Sequence, residues 1–486
     1  SYFGFTTSKF NSVIKDKIKK QNSDLDIDLK KVKLHLDLKN IAIKIKIKNS
    51  KIIIKNSEKI ELKEISSNIL LSSYFQNKFA IKNILIESKK NEVKNYINFY
   101  KNINNSLELI LINQLIKQGK AQINIELNFD DSGKIKNDYK LSGKVLNAEI
   151  QVQKNKILKD LNFNFLVNDK NYKFEKILFK FNKINFNSEF LNIKQKNKKF
   201  HINGNLKNKK DKINNDIIFI FKDILEIFDF SNTKFESTSE FNFDLSKKFR
   251  IKNLKIDTKL NLDELILKYD SNKIKNYIKN YKNLINLKQN KLHIEYSKEK
   301  VLIDGSSKFY IDENFENSIN FQIKKIKNKI DFKTLLNLDK IKFSIEDIAY
   351  KKLRNQNATL QVKGFKNNKK LLFEGIDYKE KNNSIVINNL EINNNKIFSI
   401  DEARFDYLTE NNFKNQIALV RKDNNYILGG NSFDSIKLIE NISNSETDNN
   451  IFKLFKNLNS EIKISINEVM LDDKITVNNL NGNLEI

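Results

Sequence analysis

The amino-acid sequence predicts a mostly β protein: a long antiparallel meander curled into an elongated hydrophobic groove, a repeating β-groove, with a few short amphipathic helices. Three observations predict it. Apolar and polar residues alternate with period 2 over most of the chain, the signature of strands with one apolar face. Helical periodicity is confined to a few short stretches. Among 486 residues there is no Pro and there are only 11 Gly, whereas average usage predicts roughly 24 and 34; strands can therefore run on without breaks.

The elements follow in order. Phe10, Val13, Ile14 and Ile18 have the spacing of a basic amphipathic helix over 8–20, within a membrane-proximal segment 1–23. Val32, Leu34, Leu36 and Leu38 alternate with Lys33, His35 and Asp37, and Ile41, Ile43, Ile45 and Ile47 alternate with Ala42, Lys44 and Lys46. The pattern resumes at Ile123/Ile125/Leu127/Phe129, Leu161/Phe163/Phe165/Val167 and Ile177/Phe179/Phe181. It continues at Leu254/Ile256/Leu260/Leu262, Ile319/Phe321/Ile323, Ile341/Phe343/Ile345 and Ile462/Ile464/Ile466. Asn-, Lys- and Asp-rich turns separate these runs. Helical insertions are expected over 91–118, ending at Gly119 as a C′ residue, and over 272–287. Single short helices are expected near 222–228, 434–442 and 451–457.

The two insertions resemble each other. Asn91-Glu-Val-Lys-Asn-Tyr-Ile-Asn-Phe-Tyr-Lys-Asn-Ile103 matches Asn272-Lys-Ile-Lys-Asn-Tyr-Ile-Lys-Asn-Tyr-Lys-Asn-Leu284, and Gln118/Lys120/Ile123 matches Gln289/Lys291/Ile294. The phrase at 81–86 recurs at 251–256 and 387–392. A duplication is expected, with one β-groove module over 24–210 and a second over 211–486 that continues beyond the sequence.

Composition removes other classes. With no Cys there is no disulfide framework, zinc–cysteine site or thiol chemistry. Nowhere are there 18 consecutive apolar residues of the kind that span a membrane. The net charge of +28 is almost all Lys, Arg occurring only at 250, 354, 404 and 421. Lys for Arg, with no Pro or Trp, is the trace of an AT-rich genome, so part of the charge reflects codons rather than a polyanionic partner. The chain opens at Ser1 and stops in a strand-like run at Ile486, which reads as a piece of a longer protein whose signal or anchor has been removed.

A half-apolar sheet hides its face on a second sheet, on helices or on a ligand. Helices are too few, and the Gly/Pro turns usual in sandwiches are scarce. A sandwich stays open; the third option is a curled sheet whose apolar face holds acyl chains, on the order of 140 Å long for about 30 strands. The candidate lining is Val32, Leu34, Leu36, Ile43, Ile45, Ile47, Ile123, Ile125, Leu127, Phe163, Phe165, Ile177, Phe179, Leu254, Ile256, Leu260, Ile319, Phe321, Ile341, Phe343, Ile462 and Ile464. The lysine-rich opposite face reads as solvated. In the first helix, Lys15, Lys17, Lys19 and Lys20 could meet anionic headgroups.

No enzyme motif survives scrutiny. His35, His201 and His293 are far apart, without carboxylates at ligand spacing in sequence, and receive no metal or catalytic role. Asp24, Asp26 and Asp28 mimic a calcium loop, but Leu29 stands where Gly is required. Gly429-Gly430 lacks the P-loop Lys, and Asp434 fits a helix N-cap. Neither a metal nor a cofactor is expected. Nucleic acid is not expected as a partner, because the Lys is dispersed and no compact basic–aromatic module is present. A β-rich structural or adhesin-like surface protein is the main alternative, and a basic nucleic-acid-binding protein a lesser one.

Several phrases resemble the AsmA-like family, in particular its YhdP- and TamB-type branches. They are Gly4-Phe-Thr-Thr-Ser-Lys-Phe-Asn11 with its helix, the strands at 24–29, 32–38 and 41–47, Ile60-Glu-Leu-Lys-Glu-Ile65, Ser72-Ser73 and Ile81-Lys-Asn-Ile-Leu-Ile86. Asp138-Tyr-Lys-Leu-Ser-Gly143 and Leu428-Gly-Gly-Asn-Ser-Phe-Asp434 add to them. The resemblance implies a periplasmic protein of a Gram-negative bacterium, anchored to the inner membrane, that carries phospholipid along a β-groove between inner and outer membranes. The family's transmembrane anchor and its C-terminal region have no counterpart in this sequence.

Overall fold

The computed structural model describes residues 4–9, 11–21, 23–54, 59–76, 78, 80–103, 113–153, 156–197, 199–213, 228–230, 232–246, 250–269, 272–279, 281–311, 314–368, 370–394, 396–443 and 460–485. Among the described residues it is mostly strand with a few short helices, a long meander that does not close into a barrel. The chain divides into two compact units, Ser1–Asp211 with Thr238–Leu254, and Lys212–Ser237 with Lys255–Ile486. Among the described residues no helix is long and apolar enough to cross a membrane.

In the first unit the ladder runs through Val32–Asp37, Ala42–Lys48, Ile60–Leu70, Ile81–Ser88, Ile116–Asn128, Lys140–Gln153, Lys156–Asn168, Asn171–Phe181 and Ile184–Lys196 to Lys199–Lys212. Each strand is antiparallel to the one before it. In the second unit it runs from Ile251–Lys268 through Leu284–Ser297, Lys300–Tyr310, Asn317–Ile326, Lys329–Asn337, Ala358–Asn367, Lys370–Glu380 and Asn383–Asn393. Glu402–Leu408, Lys414–Lys422 and Asn425–Asp434 follow in the same sense, paired to their predecessors. The expectation of a wholly antiparallel meander fails at one place. Glu461–Met470 pairs parallel to Asn425–Asp434, because the connection between them is long, carries the helix Ile436–Ser443 and can cross back over.

The scarcity of Gly is met by other residues. Turns that need a left-handed conformation take it mostly from Asn, as at Asn49, Asn197, Asn368, Asn394 and Asn412. Between Asn171–Phe181 and Ile184–Lys196 both turn residues, Asn182 (φ 49°) and Lys183 (φ 71°), are left-handed, the requirement of a type I′ hairpin. Lysine is a poor occupant of that position. Lys183→Gly is expected to stabilise the first unit by about 1 kcal/mol, read as a raised midpoint in urea; an unchanged midpoint would contradict this reading of the turn.

Left-handed residues also sit inside strands, where the register slips. Asn147 (φ 50°) lies at the slip between Val145 and Ala148, and Lys176 (φ 53°) lies between Phe174 and Ile177. At such bulges the apolar positions change parity and stay on one face. Val145, Ala148 and Ile177 are accordingly buried in one cluster, with Phe174 packed against it.

Three expected elements are corrected. The first insertion is the helix Val93–Ile103; residues 104–112 lie outside the described set, and the strand Ile116–Asn128 begins before Gly119. Gly119 is therefore a strand residue (φ 143°) at which a Cβ would run into Ala148, not a helix C′. The second insertion shrinks to Asn272–Tyr277, because Leu284, Ile285 and Leu287 pair with Lys268, Leu267 and Leu265 as strand. Ile341 and Phe343 leave the meander altogether: Phe343–Ile345 pairs with Tyr350–Lys352 in a separate small hairpin. The first helix is Asn11–Gln21. Helices expected near 222–228 and 451–457 fall on residues outside the described set, apart from Phe228, which is strand.

Candidate functional site

Directly paired residues of an antiparallel ladder share a face, so the registers trace the apolar face row by row. In the first unit one row is Val32–Ile47–Ile65–Ile86–Ile125–Leu141–Val167–Tyr172–Ile193–Ile202. Polar side chains do not interrupt it, save for the Tyr172 hydroxyl. A neighbouring row is Ile123–Gly143–Phe165–Phe174–Leu191–Gly204, and on the other side lies Leu34–Ile45–Ser67–Ile84–Leu127. One residue away along the same strands the row is Lys33–Lys46–Ser66–Leu85–Glu126–Lys140–Asn168–Asn171–Lys194–His201, which is polar except at Leu85.

The second unit repeats the arrangement. Its long row is Leu260–Leu292–Gly305–Phe321–Thr334–Val362–Ile376–Ile387–Ala403–Leu419–Leu428–Ile464–Gly482. A parallel row runs Ile319–Leu336–Leu360–Tyr378–Ile385–Phe405–Ile417–Gly430–Ile466–Leu480. The opposite face carries His293–Asp304–Gln322–Lys333–Lys363. Glycines in the apolar rows are fitted to neighbouring rings. A Cβ at Gly305 would run into Phe321, and Gly364 is paired to both Phe332 and Phe373, whose rings meet edge-on at 5.8 Å. Gly364→Ala also drives its Cβ onto the Leu372 carbonyl. It is expected to cost about 1–3 kcal/mol, measured by denaturant unfolding, and a neutral result would contradict this packing.

These rows are half-buried rather than sealed: Ile65, Ile86, Ile125, Leu141 and Val167, and likewise Phe321, Val362, Ile376 and Ile387, all retain solvent access. In each unit an inserted segment covers part of the face. In the first, Val93 and Tyr96 of the helix Val93–Ile103 pack on Ala121, Val145, Ala148, Leu161 and Ile177. Tyr96 is fixed there by Asn91 Nδ2 at 2.9 Å and by donating to Ser88 Oγ at 2.6 Å. In the second unit, the 343–352 hairpin lies on the row through Ile319, Leu336, Leu360 and Phe405.

That hairpin is held by a buried polar network the alternation pattern gave no hint of. The Tyr350 ring, 1% exposed, meets Tyr407 at 5.3 Å and Tyr378 at 5.9 Å, both edge-on. Its hydroxyl donates to Glu380 and lies 2.7 Å from the Tyr378 hydroxyl. Tyr407 donates to the Ile348 carbonyl at 2.5 Å and accepts from Asn415 Nδ2 at 2.7 Å. Burial pushes the pKa values of all three phenols up, and for Tyr350 the hydrogen bonds to Glu380 and Tyr378 add to it. Lys352 is fully buried and donates to the carbonyls of Asp339, Ile341 and Leu353 at 3.2, 3.0 and 2.9 Å. Burial lowers its pKa, against the opposing charges of Glu380 and Asp339.

Of the expected lining residues, Val32, Leu34, Leu36, Ile43, Ile45, Ile47, Ile123, Ile125, Leu127 and Phe165 lie on the traced rows or directly beside them in the first unit. Phe163, paired with Val145, belongs to the same face, and so do Ile177 and Phe179. In the second unit Leu260, Ile319, Phe321 and Ile464 lie on the traced rows, and Ile462 is buried in a further cluster on Ala403, Leu419 and Tyr426. Ile256 pairs with Tyr296, and Leu254 is half-buried at the end of the first unit. Ile341 and Phe343 belong to the segment that covers the face. Leu36 is 44% exposed.

Lys15 and Lys19 turn toward Asp26, at 3.2 and 3.9 Å, while the side chains of Lys17 and Lys20 lie outside the described residues. Desolvation opposes it, but the Lys15 and Ile27 hydrogen bonds with both lysine charges hold the Asp26 carboxyl below its usual value. Asp24, Asp26 and Asp28 form no loop, Leu25–Asp28 being a strand paired to Lys51–Ile54. Gly429 and Gly430 are strand residues, and Asp434 Oδ1 accepts the Ile436 amide at 3.1 Å, ahead of the helix Ile436–Ser443.

The histidines do find carboxylates, across strands rather than along the sequence. His201 Nδ1 lies 2.6 Å from Asp244 Oδ1, and His293 Nε2 lies 3.1 Å from Asp257 Oδ1. With Glu295, which is paired directly opposite Asp257, His293 forms a group whose ligand atoms lie within 4.8 Å of one another. It is the set among the described residues that could hold a metal ion, though it is exposed on the polar face. No family model, curated protein or solved structure matches this chain.

Proposed function

We propose that this chain is a periplasmic AsmA-like protein that holds phospholipid acyl chains along the apolar faces of its two units, serving lipid movement between the inner and outer membranes. The observation that carries the reading is the long apolar row in each unit, broken only by the Tyr172 hydroxyl in the first and Thr334 in the second, half-buried and, among the described residues, only partly covered by inserted segments. Apolar side chains that the described residues leave open over so many strands call for an apolar cover. Each methylene laid on such a face gains about 0.8 kcal/mol, so a dozen contribute on the order of 10 kcal/mol without any directional bond. A binding face of this kind needs no catalytic group. It favours the chain of a lipid over its headgroup and leaves the headgroup in water.

The polar face supports the same reading. Its lysines are interleaved with carboxylates, as in Lys46–Glu64 at 3.2 Å, Lys63–Glu87 at 2.8 Å and Lys180–Asp160 at 2.9 Å. Such exposed pairs contribute little to stability but break up the field a polyanion would need. Native mass spectrometry of the chain, purified without detergent from a Gram-negative host, is expected to show protein with phospholipid bound. Recovery of stable, folded, lipid-free protein alone would contradict the proposal.

A further inference from the structure

The second unit contains a cavity of about 830 Å³ beside the 343–352 hairpin. We infer that it is a headgroup site for a phosphate-bearing amphiphile, an inference that rests on the lipid-binding reading above and gives it an address. One wall is apolar, formed by Ile278, Ile311, Phe315 and Phe343. Ile278, Ile311 and Phe343 also pack against the cluster that contains Tyr350, Tyr378 and Ile385, so this wall is continuous with the apolar face. The volume falls within the range of about 300–1,000 Å³ typical of small-molecule sites.

Among the described residues the remaining walls carry six basic and five acidic side chains, a surplus of one positive charge. Lys279 bridges Glu346 at 3.3 Å, Lys351 bridges Glu410, and Lys437 bridges Glu440 at 2.7 Å. The buried Asp434 carboxylate accepts the Ile436 amide, a neutral donor that does not offset its charge. The remaining acid among the described residues, Asp473, acts on Lys437, whose pKa is raised chiefly by its hydrogen bond to Glu440. Lys340 and Lys342 then remain, and among the described residues neither forms an ion pair; Lys340 Nζ donates to the Asn355 side-chain oxygen at 3.0 Å. Beside them the Arg354 guanidinium lies 3.5 Å over the Phe315 ring.

Two ammonium groups and a stacked guanidinium next to an apolar wall are complementary to a phosphate that carries an alkyl chain. Arg is also rare in this chain, and one of its four occurrences is here. The phosphate could belong to a lipid headgroup or to free phosphate, and the alkyl chain separates the two.

Calorimetric titration of the full chain with dodecyl phosphate below its micelle concentration tests the site, with inorganic phosphate and dodecyltrimethylammonium as the other probes. Binding of dodecyl phosphate to the native chain is expected, weakened about tenfold or more in K340Q/K342Q. Both lysines are exposed, so the double variant is expected to keep the native melting temperature. Dodecyltrimethylammonium binding is expected to be unaffected by the same substitutions. Unchanged dodecyl phosphate affinity in K340Q/K342Q would overturn the site while leaving lipid binding on the faces intact. Equal affinity for inorganic phosphate would overturn it in favour of a free anion. A native chain that retains co-purified phospholipid yet ignores dodecyl phosphate would likewise overturn the site alone, whereas absence of both lipid and probe binding would end the lipid reading too.

Discussion

Ile45→Asp and Ile376→Asp are each expected to lower the phospholipid bound by this chain at least about tenfold, while Lys33→Asp leaves it unchanged. Ile45 stands between Leu34 and Ser67 in the first unit, and Ile376 between Val362 and Ile387 in the second. Both are half-buried, so an aspartate there remains hydrated in the lipid-free chain and the fold survives. Laying an acyl chain across it would strip that water, at a cost of several kcal/mol for an unpaired carboxylate. Lys33 faces Lys46 on the polar side, and reversing its charge removes a like-charge pair without touching the apolar rows. Lipid phosphorus per mole of purified protein is the readout. Equal lipid content in all three variants would contradict the assignment of the faces.

Tyr350→Ala is expected to have the largest effect on stability, about 3–5 kcal/mol in denaturant unfolding of the second unit. The ring is almost wholly buried and is the centre on which Phe343, Tyr378 and Tyr407 converge. Removing it leaves a void, and it also leaves the Glu380 carboxylate to the Asn383 amide at 3.2 Å and the Tyr378 hydroxyl. Tyr350→Phe keeps the ring and loses only the hydroxyl, so about 1–3 kcal/mol is expected from the under-satisfied carboxylate. The two variants should also differ in surface. With the hairpin loosened in Tyr350→Ala, the row through Leu336, Leu360 and Phe405 is uncovered, and binding of a hydrophobic dye should rise; in Tyr350→Phe it should not. Dye binding at the native level in Tyr350→Ala would show that the hairpin is not held by this ring.

The legibility of this molecule in its sequence follows a physical division. Alternation at Ile123/Ile125/Leu127 or Ile319/Phe321/Ile323 is local, and a strand that alternates places those residues on one face whatever its partner. The meander and most of the apolar face could therefore be read directly. What could not be read depends on residues far apart in sequence. Ile341/Phe343/Ile345 alternates as well as any strand of the sheet, yet it pairs with Tyr350–Lys352 and lies across the apolar face. Nothing in a period of 2 tells a strand in the sheet from a hairpin on top of it. The contacts of His201 with Asp244 and of His293 with Asp257 were invisible for the same reason.

Composition acted in both directions. Bias toward Lys and Asn inflated the helical reading of 272–287, where cross-strand pairing of Leu284, Ile285 and Leu287 prevails over local propensity. The same bias hid the turns, because Asn and Lys occupy left-handed positions at 182 and 183 that Gly would otherwise mark. The buried Tyr350–Glu380–Lys352 group carries one retrospective signal. Tyr350 and Lys352 are separated by one residue, as are Tyr378 and Glu380, which puts each pair on one side of its strand.

The central claim is that lipid occupies one face of the sheet and not the other, and site-specific photocrosslinking tests it most directly. With a benzophenone amino acid at Ile125 or Ile376 on the apolar rows, or at Lys140 or Lys333 on the polar rows, irradiation in phospholipid-containing cells should attach lipid at the first pair and not at the second. Crosslinking of equal yield at all four positions, or at the lysine positions alone, would contradict it.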